Sequence, residues 1–300
     1  MINRLKKFLP KKLYYPARSL YRYASHTYNK SIGLNTVNYC GLEIDIPKNH
    51  LLNDIAKSQP YREFGLRISV RFIGPKYENQ PMVDIGANIG DTAIVISSEC
   101  SNDLVLIEPS DYYHEILVKN VKKIKNKIAI HKCFVGNGDL VEGRLVHVGS
   151  TAHIQRTDGG GFVATLKLED LTIQNPCLIK IDTDGFDFSI IRSGLSFIKD
   201  ARPAIYFENS IRTLSDLTQA NEIIDLLHSV GYEYFVLWDD AGFHMLSTNI
   251  ATDLKSLNRY LYKTWTTVGE SASISNFDIL ALTGRDADIF FAVKEYFEDY

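Results

Sequence analysis

The residues best suited to chemistry are carboxylates and glycines at the ends of short apolar runs. The clearest group is Val83-Asp-Ile-Gly-Ala-Asn-Ile-Gly-Asp-Thr-Ala93, an apolar segment that ends in a tight glycine loop and opens a helical pattern. A loop of that kind binds an anionic or polar ligand at a helix N-terminus. Spacing decides which ligand. A dinucleotide fingerprint needs glycine at its first, third and sixth positions, but counting from Gly86 the third is Asn88 and the sixth is Asp91. A phosphate loop needs Gly-Lys-Ser/Thr, whereas Gly90 is followed by Asp91, a carboxylate that repels phosphate. Nicotinamide cofactors and ATP are both disfavoured.

What remains is acidic-x-Gly-x-(Gly/Asn)-x-Gly, met by Asp84, Gly86, Asn88 and Gly90. This is the loop of S-adenosylmethionine enzymes of the doubly wound fold. That cofactor carries an amino group and a sulfonium, so a carboxylate at Asp84 is expected to favour its amino-acid end. Asn88 can replace the middle glycine because Asn tolerates left-handed backbone. Glu108 closes the next apolar segment 22 residues after Gly86, where an acid is placed to accept both ribose hydroxyls. Ala87, Asp91 and Thr92 in the loop, Pro109 and Ser110 after Glu108, and Val135, Gly136 and Asp182 at later segment ends complete the expected cofactor-binding set.

Asp182 follows the apolar segment Leu178–Ile181, at the end of a strand where α/β sheets place their chemistry. Methyl transfer is an in-line displacement at a sulfonium, so the protein must position an acceptor oxygen and take its proton as the bond forms. A carboxylate suffices. Asp182 is expected to orient or deprotonate the acceptor with Asp184 assisting, unless it caps the next helix or pairs with Lys180. Glu208, ending the following segment, is placed to hold the acceptor. His244 and His153 are further candidate bases, and Trp238, Tyr262 and Trp265 candidates to stack on a sugar. Asp182, Asp184 and Glu208 could converge on one hard cation, but their spacing matches no metal motif and no metal is assigned.

The elements that must position these residues alternate. Short apolar runs at Met82–Ile85, Leu104–Ile107, Ile128–Phe134, Leu178–Ile181, Ala204–Phe207 and Tyr234–Leu237 are separated mostly by helical patterns, which predicts βαβ units and a doubly wound, mostly parallel sheet. Ahead of them, Tyr39–Ile46 alternates like an edge strand or hairpin, and Leu51–Ile73 reads as a helix ending near Gly74-Pro75. Two stretches interrupt the alternation. Residues 141–169 read as a β-hairpin inserted around the turn Asp158-Gly-Gly-Gly161, and residues 239–276 as a polar insertion with a helical piece at Leu254–Tyr262 that lids the acceptor. A last strand, Phe277–Leu282, precedes a terminal helix. One domain over residues 36–300 is expected behind an arm of residues 1–35.

Composition narrows the class. With 300 residues, 45% apolar and 23% charged, the chain can bury a large core, and its four scattered cysteines suggest neither a disulfide scaffold nor a zinc site. It lacks a signal-peptide pattern and any apolar run near the roughly 20 residues of a membrane span, so a cytosolic protein with reduced thiols is expected. Residues 1–30 hold eight Lys and Arg and no acid, which leaves −11 on the rest of a chain of net charge −3. An acidic body argues against nucleic acid as substrate, and the Asn/Asp-Pro-Pro-Tyr/Phe device for a base nitrogen is missing. In the arm, aromatic and leucine residues interleave with the basic ones, as in segments that lie on an anionic membrane surface. The alternative is an arm packed on its own domain or on a twin subunit.

Asp84-Ile-Gly-Ala-Asn-Ile-Gly90, Ile107-Glu-Pro109, Leu168-Glu-Asp-Leu171, Leu178-Ile-Lys-Ile-Asp-Thr-Asp-Gly185 and Pro203-Ala-Ile-Tyr-Phe-Glu208 together resemble the FkbM family of methyltransferases over about residues 40–285. The resemblance implies a class I methyltransferase sheet of Rossmann type and methyl transfer from S-adenosylmethionine, typically to a hydroxyl of a sugar, glycolipid or polyketide. A glycan or another hydroxyl-bearing small molecule is therefore the expected acceptor, with a non-catalytic scaffold of the same fold, or a protein methyltransferase, as rivals. Asp182 and Gly185 match the family pattern Lys-Ile-Asp-Val-Glu-Gly-x-Glu, whereas Asp184 and Asp187 stand one methylene shorter than its glutamates. Glu169-Asp170 likewise replaces a family Asp-Asp.

Overall fold

A computed structural model describes residues 33–54, 61–148, 151–155, 162–183 and 185–298. The basic arm, Asp184 and the Gly-rich turn at 158–161 lie outside the described residues, as do the side chains of residues 144–155. The chain opens with a hairpin, β1 (Leu34–Tyr39) and β2 (Leu42–Pro47), as its alternation predicts. Ile44 and Ile46 bury against Ile89, Tyr113 and Ile116. The Asn120 amide donates to the carbonyls of Asp45 at 2.9 Å and Ile89 at 2.8 Å, so the hairpin is tied to the glycine loop. Of the predicted helix Leu51–Ile73, residues 52–54 are helical and 55–60 lie outside the described residues; after a turn at 61–63, helix α1 (Phe64–Lys76) follows and carries Pro75 in its last turn. Its first turn reaches the sheet because residue 65 is glycine: a Cβ there would lie 2.6 Å from the Trp238 ring.

The core then builds as β3 (Met82–Ile85), α2 (Asp91–Glu99), β4 (Leu104–Ile107), α3 (Asp111–Asn120) and β5 (Ile128–His131). After small strands come β11 (Leu178–Ile181), α4 (Asp187–Ser193), α5 (Leu195–Ala201), β12 (Ala204–Ser210), α6 (Leu214–Ser229), β13 (Tyr232–Asp239), β14 (His244–Thr248), α7 (Ala251–Val268), β15 (Asn276–Thr283) and α8 (Ala287–Glu298). One eight-stranded sheet runs β14-β13-β15-β12-β11-β3-β4-β5. The five strands from β12 to β5 are parallel, and β15 lies antiparallel between β12 and β13. This is the expected class I methyltransferase sheet. The winding reverses between β3 and β11, the switch point at which open α/β sheets bind ligands beyond the strand ends.

Strand alternation sorts the residues onto two covered faces. Val83, Ile179 and Ile205 bury with Ile190 of α4 and Ile223 of α6. Met82, Leu178 and Tyr206 bury with Leu66 of α1, Val95 of α2 and Phe290 of α8. Asp84 and Lys180 share that second face, directly opposite one another in register.

Both interruptions differ from expectation. The small strands are β6 (Phe134–Val135), β7 (Leu140–Glu142), β8 (Arg144–Val148), β9 (Thr151–Gln155) and β10 (Phe162–Leu166). The stretch VEGRLVHVGS breaks at Gly143, so β10 pairs with β7 and, in parallel, with β6, while β8 and β9 form their own hairpin. Residues 239–276 divide into a strand and a helix, with Asp240 and Asn276 at the polar cavity. Their first part adds β14 to the sheet edge, and α7 packs on α6 through Leu254, Leu261 and the hydrogen bond from Asn258 Nδ2 to Asn221 Oδ1 at 3.1 Å. Among the described residues no helix is long and apolar enough to cross a membrane.

Candidate functional site

The loop after β3 takes the backbone its residues allow. Gly86, Asn88 and Gly90 all have positive φ, +89°, +48° and +87°, so Asn88 adopts the left-handed conformation expected of it. At Gly86 space is also decisive, because a Cβ would sit 2.0 Å from the Asp182 carbonyl oxygen. The loop is held from the other side by Glu108, which is 4% exposed and accepts from the Asn88 N–H at 2.9 Å and the Ser110 N–H at 2.8 Å. Ser110 does not reach the cavity; its hydroxyl caps α3 by accepting from the Tyr113 N–H at 3.3 Å.

Two cavities meet over this loop. One, about 410 Å³, is an apolar slot lined by Ile107, Pro109, Phe134, Val135, Gly136 and Phe186 together with the Glu108 carboxylate. The other, about 420 Å³, is polar, with Glu63, Asp91, Asp182, Glu208, Asp240 and Asp278 against Arg62, Arg67 and Lys180. Gly86, Asn88 and Asp182 line both cavities. The residues present fit an elongated ligand with an apolar planar end, a diol and a cationic end.

Lys180 organises the electrostatics. It is 3% exposed, and its ammonium lies 3.3 Å from Asp84 Oδ1 and 3.3 Å from Asp182 Oδ2. Burial opposes its charge, but Asp182, Asp84, Glu63 and Asp91 hold its pKa well above the ordinary lysine value. Asp84 is 0% exposed and also accepts from the Thr92 hydroxyl. It lines neither cavity, so the expected contact between Asp84 and the cofactor's amino group is corrected: strand parity turns its carboxylate toward Lys180. Burial pushes Glu63 up to about 7, Asp91 to about 6 and Asp278 to about 8, each helped by neighbouring carboxylates. Asp187, also raised by burial, to about 7, accepts from the Thr183 hydroxyl at 3.1 Å and the Gly185 N–H at 3.3 Å, which fixes the turn after Asp182.

Of the remaining candidates, Asp91 and Thr92 line the polar cavity, and Pro109, Val135 and Gly136 the apolar one. Glu208 reaches the polar cavity, directly opposite Asp278 in the pairing of β12 with β15. Ala87 is core. His244 is corrected: it lies on the edge strand, 2.9 Å from the Ser247 hydroxyl and stacked on Phe297 at 4.5 Å, and lines neither cavity. Trp238 is fully buried, and Tyr262 and Trp265 on α7 reach neither cavity. Among the described residues no group of three or more His, Cys, Asp or Glu could hold a metal ion. Sequence reasoning missed Arg62, Glu63, Asp240 and Asp278; the signal for the last was a charge inside the apolar run Asn276-Phe-Asp-Ile-Leu280.

Among solved structures, a methyltransferase FkbM from Methylobacillus flagellatus is 20% identical over 50% of this chain and 38% of its own, with a TM-score of 0.36. A precorrin-6y C5,15-methyltransferase from Geobacter metallireducens is 15% identical over 73% of this chain and 88% of its own, with a TM-score of 0.38. The tRNA (uracil-54, C5)-methyltransferase of Pyrococcus abyssi, solved with S-adenosyl-L-homocysteine, is 10% identical over 83% of this chain and 43% of its own, with a TM-score of 0.39. No curated protein gives a significant match. Residues 84–234, half of the chain, match the methyltransferase FkbM domain. Because that span begins at the acid opening the glycine loop and takes in all three residues shared by the two cavities, the chain belongs to the FkbM methyltransferase family.

Proposed function

We propose that the protein is an S-adenosylmethionine-dependent O-methyltransferase acting on a sugar hydroxyl of a lipid-linked or cell-surface glycan. The observation that carries this reading is the meeting of an apolar and a carboxylate-rich cavity at Gly86, Asn88 and Asp182. Adenine would lie among Ile107, Pro109, Phe134 and Val135, with the ribose on Glu108. When bound, S-adenosylmethionine supplies a methyl group on a positively charged sulfur. Asp182, 51% exposed at the junction, would accept the hydrogen of the acceptor hydroxyl. Asp182 would take up the hydroxyl proton as the acceptor oxygen gains the methyl group. Lys180, 3.3 Å away, holds the Asp182 carboxylate in position for that step. Glu208 and Asp240 offer acceptors for neighbouring hydroxyls of a sugar.

Asp182→Asn tests the assignment. Radiolabelled methyl transfer into a glycan pool is expected to fall by about 10²–10⁴-fold while calorimetric affinity for S-adenosylhomocysteine stays within about twofold. Undiminished transfer would remove Asp182 from the chemistry.

The lipid part of the proposal is motivated by the basic, aromatic residues 1–30, which would hold the enzyme at the cytosolic face of an anionic membrane. Full-length protein is expected to sediment with vesicles containing phosphatidylserine and protein lacking residues 1–32 to stay in the supernatant. Equal sedimentation of the two would refute a membrane role for the arm.

A further inference from the structure

With Asp84 turned toward Lys180, the amino group of an S-adenosylmethionine cofactor needs another partner, and the polar cavity holds two carboxylates placed for it. Asp91 is the first residue of α2, directly after the left-handed Gly90. Glu63 stands at the N-cap position of α1, yet its side chain makes no capping hydrogen bond. Both line the polar cavity, on the side closed by the start of α1 and α2, and among the described residues neither forms a salt bridge.

The segment that carries Glu63 is anchored on three sides. Arg67 and Arg71 of α1 bind Glu99 of α2 at 2.7 and 2.9 Å. Gly65 sits against the Trp238 ring, and Gly242 against the Tyr61 carbonyl, where a Cβ would lie 1.8 Å from the oxygen. Such anchoring holds a carboxylate in place without occupying it. Both carboxyls are raised first by burial; Asp91 adds to the rise at Glu63, and Asp84 and Asp182 to that at Asp91, while Lys180 lowers both. A cation between them would relieve both effects.

We propose that Glu63 and Asp91 together bind the ammonium group of the cofactor's amino-acid end, so that α1, outside the span matching the family domain, completes the cofactor site. This rests on the reading of the two cavities as an S-adenosylmethionine site. It assigns Asp84 a different task, that of positioning Lys180.

The test is calorimetric titration of the full chain with S-adenosylhomocysteine and with 5′-methylthioadenosine, which keeps the nucleoside and sulfur but lacks the amino-acid end. Glu63→Gln and Asp91→Asn are each expected to weaken S-adenosylhomocysteine binding by roughly 10–100-fold, as for loss of a charge-assisted hydrogen bond, and to leave 5′-methylthioadenosine within about twofold. Unchanged affinity for S-adenosylhomocysteine, or equal weakening of both ligands, would overturn the assignment while leaving the cofactor reading intact. Failure of the wild-type protein to bind either ligand would overturn both. Should Asp91→Asn not fold, Glu63→Gln carries the test, because its side chain makes no capping bond to lose.

Discussion

Lys180→Met is expected to destabilise the protein by about 3–5 kcal/mol, the usual cost of stripping one partner from a buried ion pair. The reason is Asp84, which is 0% exposed and would be left with only the Thr92 hydroxyl beside it. Asp182 contributes little to this loss, since at 51% exposure water screens its pairing with Lys180. The double variant Lys180→Met with Asp84→Asn removes both charges and is expected to recover about half or more of the lost stability. Urea unfolding of the four proteins of this cycle measures the coupling. A single-variant loss under about 1 kcal/mol would mean that Asp84 is solvated or neutral, and the buried pair would not be the organiser of the site.

The second large effect is expected at Gly86. Gly86→Ala meets two penalties: a left-handed φ of +89°, and a Cβ 2.0 Å from the Asp182 carbonyl oxygen. The opposing atom is backbone, so relief requires the ends of β3 and β11 to part. A loss of about 3–5 kcal/mol is expected, with S-adenosylhomocysteine binding lost in whatever protein folds. Gly185 supplies the comparison. Its φ is +104° but a Cβ there would meet nothing within 4 Å, so Gly185→Ala is expected to cost only the left-handed term, about 1–2 kcal/mol. Equal denaturation midpoints for the two variants would show that the close approach is not tight in solution.

These two positions mark what the sequence reveals and what it hides. The glycine loop, Asn88 and Glu108 were legible because their geometry is local: spacing along one strand, one turn and one helix start fixes it. The role of Asp84 was not, because spacing places an acid at the strand's end without saying which face it points to. That face is set by β11, whose Lys180 arrives 96 residues later and lands opposite it. Glu63, Asp240 and Asp278 were hidden for the same reason, since they come from α1, a hairpin loop and the last strand and meet only through the topology. His244 looked reactive by residue type alone, and its edge strand stacks it on Phe297 instead.

The position of β15 also bears on how the chain assembles. Strand β13 ends at Asp239, yet its neighbour toward the sheet centre is β15, which begins only at Asn276. As a ribosome releases the chain from its N-terminus, strands β3, β4, β5, β11 and β12 can pair before β15 exists, and β12 is left with an open edge until it does. The apolar cavity beside Glu108, lined by residues 85–193, is therefore finished early in synthesis. The wall that bears Asp278 closes last, so a ligand held over the glycine loop could stabilise the nascent half-sheet before the acceptor side has formed.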